Sequence, residues 1–279
     1  MFYSYVTKKT HKKQANKLTS ISYIVRYLKY YLRSNNEHGM HSPFMFHLVL
    51  NVIYLKDEFY DYKRLSEARA QLNADETVLN ITDFGAGSRV FKGNQRKVKD
   101  IVKHGISSEK YARLLFRLVN HFKPNTIIEL GTSVGLTTMY LAAANRKAKI
   151  YTLEGSKEIA NFAKQQFKKN KFENIELVEG DFKDTFTTLL NKLGSVDFAY
   201  IDGNHTKEAT INYFNQLLPK CNEHSVLIFD DINWSEGMQE AWQFIKTHER
   251  VKLSIDLFFI GIVLFRKEQQ EQEHFVVRF

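Results

Sequence analysis

The sequence predicts an α/β chain built on a doubly wound, mostly parallel sheet, preceded by a mainly helical extension. Three observations carry that prediction. From about residue 106, apolar runs rich in β-branched residues alternate five times with helical segments. Two glycines four residues apart, Gly131 and Gly135, occupy the first strand-to-helix turn. Acidic residues recur at the ends of the apolar runs. Strand-helix alternation dictates parallel strands with helices on both faces, because each crossover returns the chain to the same end of the sheet.

Length and composition set the frame. With 279 residues, 43% of them hydrophobic, the chain has material for one large α/β domain plus an extension. The formal charge of +9 is concentrated at one end: Lys8, Lys9, Lys12, Lys13, Lys17, Arg26, Lys29 and Arg33 supply +8 within the first 33 residues, which hold no Asp or Glu. Such an arm suits phosphates or an anionic membrane surface, and it equally suits a solvated tail, so charge alone does not assign a nucleic-acid partner. Tyr23, Ile24, Tyr27, Leu28 and Tyr31 recur at helical spacing and predict a short amphipathic helix whose aromatics pack on the main domain. The single cysteine, Cys221, excludes an internal disulfide framework and an all-cysteine metal cluster, which suits a reducing, cytoplasmic setting. No sustained apolar segment follows the basic start, so no signal peptide is expected, and the longest apolar run, Leu257 to Phe265, is too short to span a bilayer as a helix.

Residues 1–105 read as the extension and are expected to cover the active site; residues 106–279 read as the α/β domain. Within the extension, a polar turn carrying His38 and His41 leads through Ser42-Pro43 into the apolar stretch Phe46 to Leu55, with Pro43 suited to the first helical position. A charged helix is expected over 61–76. A second glycine motif, Gly85-Ala86-Gly87-Ser88, is followed by Gly93, which interrupts any immediate helix. Without a helix start it lacks the array of N–H groups that cradles an anion, so it reads as a loop facing the site.

In the α/β part, Ser107-Ser108-Glu109 opens an amphipathic helix closed by Lys123-Pro124. Strands are expected at 126–130, 149–153, 175–178, 196–201 and 226–229. Helices follow them to about 145, then over 157–169, 185–193, 207–218 and 236–246. Two adjacent strands, 251–256 and 258–265, close the chain.

Ligands in open α/β sheets bind beyond the carboxyl ends of the strands. Glu129, Glu154, Asp202, and Asp230 with Asp231 lie at four of those ends, and Asp181 follows the third strand closely. Helix capping explains some of these acids, but not Glu154, which ends an apolar strand just before Gly155-Ser156 can cap the next helix. About twenty residues beyond Gly135, Glu154 is suited to accept hydrogen bonds from both hydroxyls of a ribose. Asp181 and Phe182 suit an adenine, one by hydrogen bonding and the other by stacking. Gly131 and Gly135 are expected to let the backbone approach the nucleotide. Those roles fit a nicotinamide dinucleotide as well as S-adenosylmethionine. The first loop separates them: a pyrophosphate wants the GxGxxG spacing, whereas Gly131-Thr132-Ser133-Val134-Gly135 has two glycines and leaves room for a zwitterionic amino-acid tail.

The set Glu129-Leu130-Gly131-Thr132-Ser133-Val134-Gly135, Glu154, Gly180-Asp181 and Asp197-Phe198-Ala199-Tyr200-Ile201-Asp202-Gly203-Asn204-His205 resembles class I S-adenosylmethionine-dependent methyltransferases. Ile201-Asp202-Gly203 and Ile228-Phe229-Asp230-Asp231-Ile232 are most similar to the small-molecule O-methyltransferases of the catechol and caffeoyl-coenzyme A type. The resemblance covers roughly residues 107–265. It implies a Rossmann-like, seven-stranded sheet whose last strand is antiparallel. It also implies a cofactor set of Glu129, Gly131, Thr132, Ser133, Gly135, Glu154, Gly155, Ser156, Asp181, Phe182 and Asp202.

In that family the acid ending strand four and an Asp-Asn pair ending strand five bind a divalent metal. Asp202 and Asp230 match, and Asp231 stands where Asn is usual; three carboxylates suit Mg²⁺ or another hard cation. His205 stands where the catechol enzymes carry a catalytic lysine, so Asp202 and His205 are the catalytic candidates. Trp234, Met238 and Phe259, with the His38–Phe44 and Gly85–Ser88 loops, are candidates for the lid and acceptor wall. The implied partner is a small-molecule acceptor, with oligomeric state open and a homodimer among the choices. The competing readings are an RNA or other nucleic-acid methyltransferase using the basic arm, an NAD-dependent oxidoreductase, and a non-catalytic binding protein.

Overall fold

A computed structural model describes residues 22–39, 41–81 and 94–279. The extension begins with a helix over residues 22–33 (α1). Helix α2 (Pro43–Leu48) runs into a π-helical turn over Val49–Ile53, and α3 spans Tyr60–Asn73. Strands β1 (Val78–Asn80) and β2 (Gln95–Lys97) pair antiparallel, and α4 spans Val98–Gly105. Pro43 stands at the start of α2, where its missing N–H costs no helical bond.

From α5 (Glu109–Phe122) onward the chain alternates. It runs through β3 (Thr126–Leu130), α6 (Leu136–Ala144), β4 (Lys149–Glu154), α7 (Lys157–Lys169), β5 (Ile175–Glu179), α8 (Phe182–Lys192), β6 (Phe198–Ile201), α9 (Lys207–Leu217) and β7 (Val226–Phe229). It ends with α10 (Glu236–Lys246), β8 (Leu253–Asp256), β9 (Gly261–Leu264) and β10 (Glu273–Val276). Three of these helices begin on side-chain caps: Asp181 accepts from the Lys183 N–H, Thr206 from that of Ala209 and Ser235 from that of Met238.

The main sheet has eight strands in the order β10-β8-β9-β7-β6-β3-β4-β5. β3 to β7 are mutually parallel, and β9 runs antiparallel to both β7 and β8. Seven strands with an antiparallel last one were expected; those seven are β3 to β9, and β10 adds an eighth, parallel to β8. Its sequence, Glu-His-Phe-Val, carries no apolar run, because an edge strand is held by backbone pairing and faces solvent.

Near residue 105 the hydrophobic core shows no break. One cluster runs from Met45, Leu48 and Tyr62 of the extension to Tyr200 and Ile262 of the sheet. Buried Arg117 of α5 joins the two parts by donating to the carbonyls of Val52 and Ile53, at the end of the π-helical turn. At the other end, the Tyr30 hydroxyl of α1 donates to the Val277 carbonyl at 2.5 Å.

The polar turn before α2, of which residue 40 and the His38 side chain lie outside the described residues, runs between the two ends of the sheet. Asn35 pairs with the chain after β10, beside the carboxyl end of β8, but Phe44 lies 3.8 Å under the Arg266 guanidinium. Arg266 follows antiparallel β9 and so stands at the opposite end of the sheet. His41 is exposed, and Gly85–Ser88 lies outside the described residues.

Candidate active site

The loop between β3 and α6 forms the floor of a cleft at the carboxyl ends of the parallel strands. Gly131 has φ +103°, and a Cβ there would stand 2.3 Å from the Asp202 carbonyl oxygen; Gly135 has φ +83°, and a Cβ would stand 2.5 Å from the Phe167 ring. Both glycines are therefore required by contacts within the protein, with α7 and with the end of β6. This reason stands beside the sequence-based one, approach to a nucleotide, and Gly131 also lines the cleft.

Thr132 and Glu129 lie beneath the loop. The Thr132 hydroxyl is buried against that of Thr152 at 2.6 Å, so its side chain does not reach the cleft. Glu129 Oε2 accepts from the hydroxyls of Thr138 and Thr152, both at 2.5 Å, while its buried Oε1 has no hydrogen-bond partner. Burial raises the Glu129 carboxyl to about 7, against the two hydroxyl donors that favour its ionised form.

Stability therefore depends on pH through Glu129. The unfolded carboxyl ionises near its ordinary 4.5, so its contribution to stability is complete below that pH and is lost as pH rises through the folded value of about 7. The loss is ~3 kcal/mol, because each pH unit between the two values contributes about 1.36 kcal/mol. Glu129→Gln is expected to melt close to wild type at low pH and above it in alkaline, cofactor-free buffer. Equal pH dependence of the two melting temperatures would refute this placement of the charge.

The cleft wall rises from the next two strand ends. Glu154 Oε2 accepts from the Ser133 N–H and Oε1 from the Ser156 N–H, each at 2.9 Å, so the carboxylate is held by backbone on both oxygens. Gly131, Ser133, Glu154, Gly155, Asp181, Phe182, Asp202 and His205 all line this cleft. Gly135 and Ser156 do not; Ser156 is buried at the start of α7. Phe182 packs against Gly203, where a Cβ would come within 2.6 Å of its ring. The anchored Glu154 carboxylate and the Asp181-Phe182 pair, all lining the cleft, form an acceptor and stacking set that fits S-adenosylmethionine.

Beyond β6 and β7 lies a cluster that the motif pattern only half disclosed. The buried Tyr200 hydroxyl donates to Asp230 Oδ2 at 2.8 Å and lies 3.3 Å from Asp202 Oδ2, with Ser107 Oγ 3.0 Å away. Neither Tyr200 nor Ser107 stands out in the sequence as a site residue. A signal existed for Tyr200, since residues two apart on a strand share a face and Asp202 follows at that spacing. Burial, then the Asp230 and Asp231 charges, hold the Asp202 carboxyl well above its ordinary range.

His205 Nε2 lies 3.5 Å from Asp202 Oδ1, and its Nδ1 lies 3.8 Å from Asp231 Oδ2. Burial lowers its pKa against the opposing Asp230 charge, which favours the neutral imidazole.

The metal expectation is not met by this arrangement. Among the described residues, no three His, Cys, Asp or Glu side chains are placed together to hold a metal ion. Asp202 and Asp230 both turn onto the Tyr200 hydroxyl, while Asp231 faces His205.

Backbone strain gathers at the same strand ends. Among the described residues, seven non-glycine residues have positive φ, and five of them, Ser133, Asn204, His205, Asp231 and Phe258, sit beyond the carboxyl ends of strands. Above them stands an aromatic wall. Tyr23 of α1 meets Trp234 at 6.2 Å and Phe259 at 6.4 Å between ring centroids, and Tyr111 meets Phe259 at 5.4 Å. Burial, with the nearby Asp231 charge, pushes the Tyr23 hydroxyl up to about 12. Trp234 and Phe259 are 38% and 39% exposed, but Met238 is only 2% exposed and takes the Thr210 hydroxyl on its sulfur. Met238 therefore belongs to the core.

Comparison with known proteins agrees with this geometry. A family model described as a methyltransferase domain matches residues 128–232. The SAH-bound methyltransferase of Podospora anserina superposes with a TM-score of 0.58 at 16% identity, covering 82% of this chain and 97% of that one. The O-methyltransferase of Bacillus cereus in complex with SAH gives 0.52 at 20% identity, covering 76% and 93%. A protein arginine N-methyltransferase of Arabidopsis thaliana is 29% identical over 87 residues, which is 31% of this chain and 22% of that protein. The chain spans only 18% and 22% of the length of the two curated relatives it matches. Cleft, sheet order and matched segment agree: residues 128–232 match a methyltransferase domain, and the chain shares the fold of the SAH-bound methyltransferases on which it superposes.

Proposed function

We propose that this protein transfers a methyl group from S-adenosylmethionine to a hydroxyl of a small, aromatic acceptor. The observation that carries the proposal is the position of His205, in the same cleft as Glu154 and 3.5 Å from an Asp202 oxygen. When bound, the cofactor supplies an electrophilic methyl group on a sulfonium.

The chain's own residues do the rest. Glu154 is suited to hold two ribose hydroxyls, and Asp181 and Phe182 an adenine. Neutral His205 would accept the proton of the acceptor hydroxyl as the carbon–oxygen bond forms and the methyl leaves sulfur, and the Asp230 and Asp231 charges would stabilise the resulting imidazolium. Tyr23, Trp234 and Phe259 offer ring faces and edges to a planar acceptor and exclude water from the reacting oxygen. The Bacillus cereus neighbour is an O-methyltransferase, which supports oxygen as the acceptor atom.

Calorimetric titration with S-adenosylhomocysteine and with NAD tests the first half. Binding of the former and silence toward the latter is expected; the reverse would sink the proposal. Labelled methyl from S-adenosylmethionine should then appear as a methyl ether on members of a panel of phenols and catechols.

A further inference from the structure

Beside the aromatic contacts of α1 lies a second cavity, of about 260 Å³, lined by α1, α10 and the β8–β10 edge. It shares no lining residue with the cofactor cleft. Arg26, Lys29 and Arg33, at positions i, i+3 and i+7 of α1, present one cationic face to it, and Lys246 in the last turn of α10 faces them across the gap.

The charge in this cavity is not balanced by the protein. Among the described residues, none of these four cations makes an ion pair with a carboxylate. Asp256, the one carboxylate lining it, is raised by burial, and its Oδ1 is already taken by the Phe258 N–H at 2.8 Å. Burial lowers Lys246, with Arg33 acting in the same direction and Asp256 against, and His274 is lowered by burial and then by Lys246. Donors are left over as well: Arg26 Nε and Nη1 are buried without a hydrogen-bond partner, and so is the indole N–H of Trp242, which also lines the cavity.

Buried charged donors without acceptors are costly to keep, and an anion satisfies them. Four cations against one carboxylate exceed what a single carboxylate ligand would neutralise, whereas a phosphoryl group offers two negative charges and several acceptor oxygens to a guanidinium and an ammonium together. We propose that this cavity is a binding site for a phosphate group, free or carried as a monoester.

The test is calorimetric titration of the full-length protein, in chloride buffer near neutral pH, with inorganic phosphate and separately with phenyl phosphate. Saturable binding of one phosphate per chain is expected, weakened about tenfold or more (~1.4 kcal/mol) by Arg26→Gln and by Lys246→Gln. S-adenosylhomocysteine affinity should stay unchanged in both variants. Tighter binding of the ester would assign the site to a phosphorylated molecule, and equal binding to free phosphate. Absence of saturable binding in the wild type overturns the proposal. So does binding that both variants and the exposed-site variant Lys29→Gln retain in full, which would mean an adventitious ion only. Phosphate binding without S-adenosylhomocysteine binding would leave this site standing and remove the cofactor reading instead.

Discussion

Glu154→Ala is expected to weaken S-adenosylhomocysteine binding by roughly 10²–10⁴-fold while leaving the protein folded. That range follows from two hydrogen bonds to a charged acceptor, each contributing about 1.5–3 kcal/mol. Glu154 holds the Ser133 and Ser156 N–H groups through its two oxygens, which fixes the carboxylate before any ligand arrives. Part of the loss will therefore come from a loosened loop. Glu154→Gln separates the contributions, since the amide keeps one acceptor and gives up the charge; an intermediate affinity is expected. Calorimetry with melting curves as the folding control decides the matter, and wild-type affinity in the alanine variant would remove Glu154 from the site.

The acids at the strand ends were legible because strand, turn and helix repeat with fixed polarity, so the residue ending each apolar run must point toward one end of the sheet. That is why Glu154, Asp181 and Asp202 all line the cleft. Depth within the loop was not legible. Glu129, Thr132 and Ser133 lie within five consecutive residues, yet only Ser133 lines the cleft, because Thr132 pairs with Thr152 on β4 and Glu129 with Thr138 and Thr152. Such partners lie far off in sequence and are invisible to a motif. The metal expectation found no support among the described residues for a related reason: three aspartates at neighbouring strand ends are close in the topology, but Asp202 and Asp230 turn onto the Tyr200 hydroxyl and Asp231, at positive φ, faces His205. The aromatics of the first helix were expected to pack on the main domain, and Tyr23, Tyr27 and Tyr30 do meet Phe258. Its cationic face over a cavity became visible only once α10 and the β8–β10 edge were in place.

His205→Ala is expected to lower kcat by about 10²–10⁴-fold, the range of positioned general-base catalysis, with S-adenosylhomocysteine affinity unchanged. Asn204 and His205 both carry positive φ, at 66° and 27°, a backbone cost that fixes the imidazole between Asp202 and Asp231. A merely structural histidine predicts a different result, a lowered melting temperature with kcat scarcely altered. The pH profile separates the two roles. The base must be neutral, and burial places its pKa below the ordinary 6.5, so wild-type kcat should rise through that lower value and then level off. Without the imidazole, the remaining rate should keep climbing with pH as the acceptor hydroxyl itself ionises. A variant whose profile still levels off as the wild type's does would assign the proton to another group, with Tyr200 and Asp230, joined at 2.8 Å, the next pair to test.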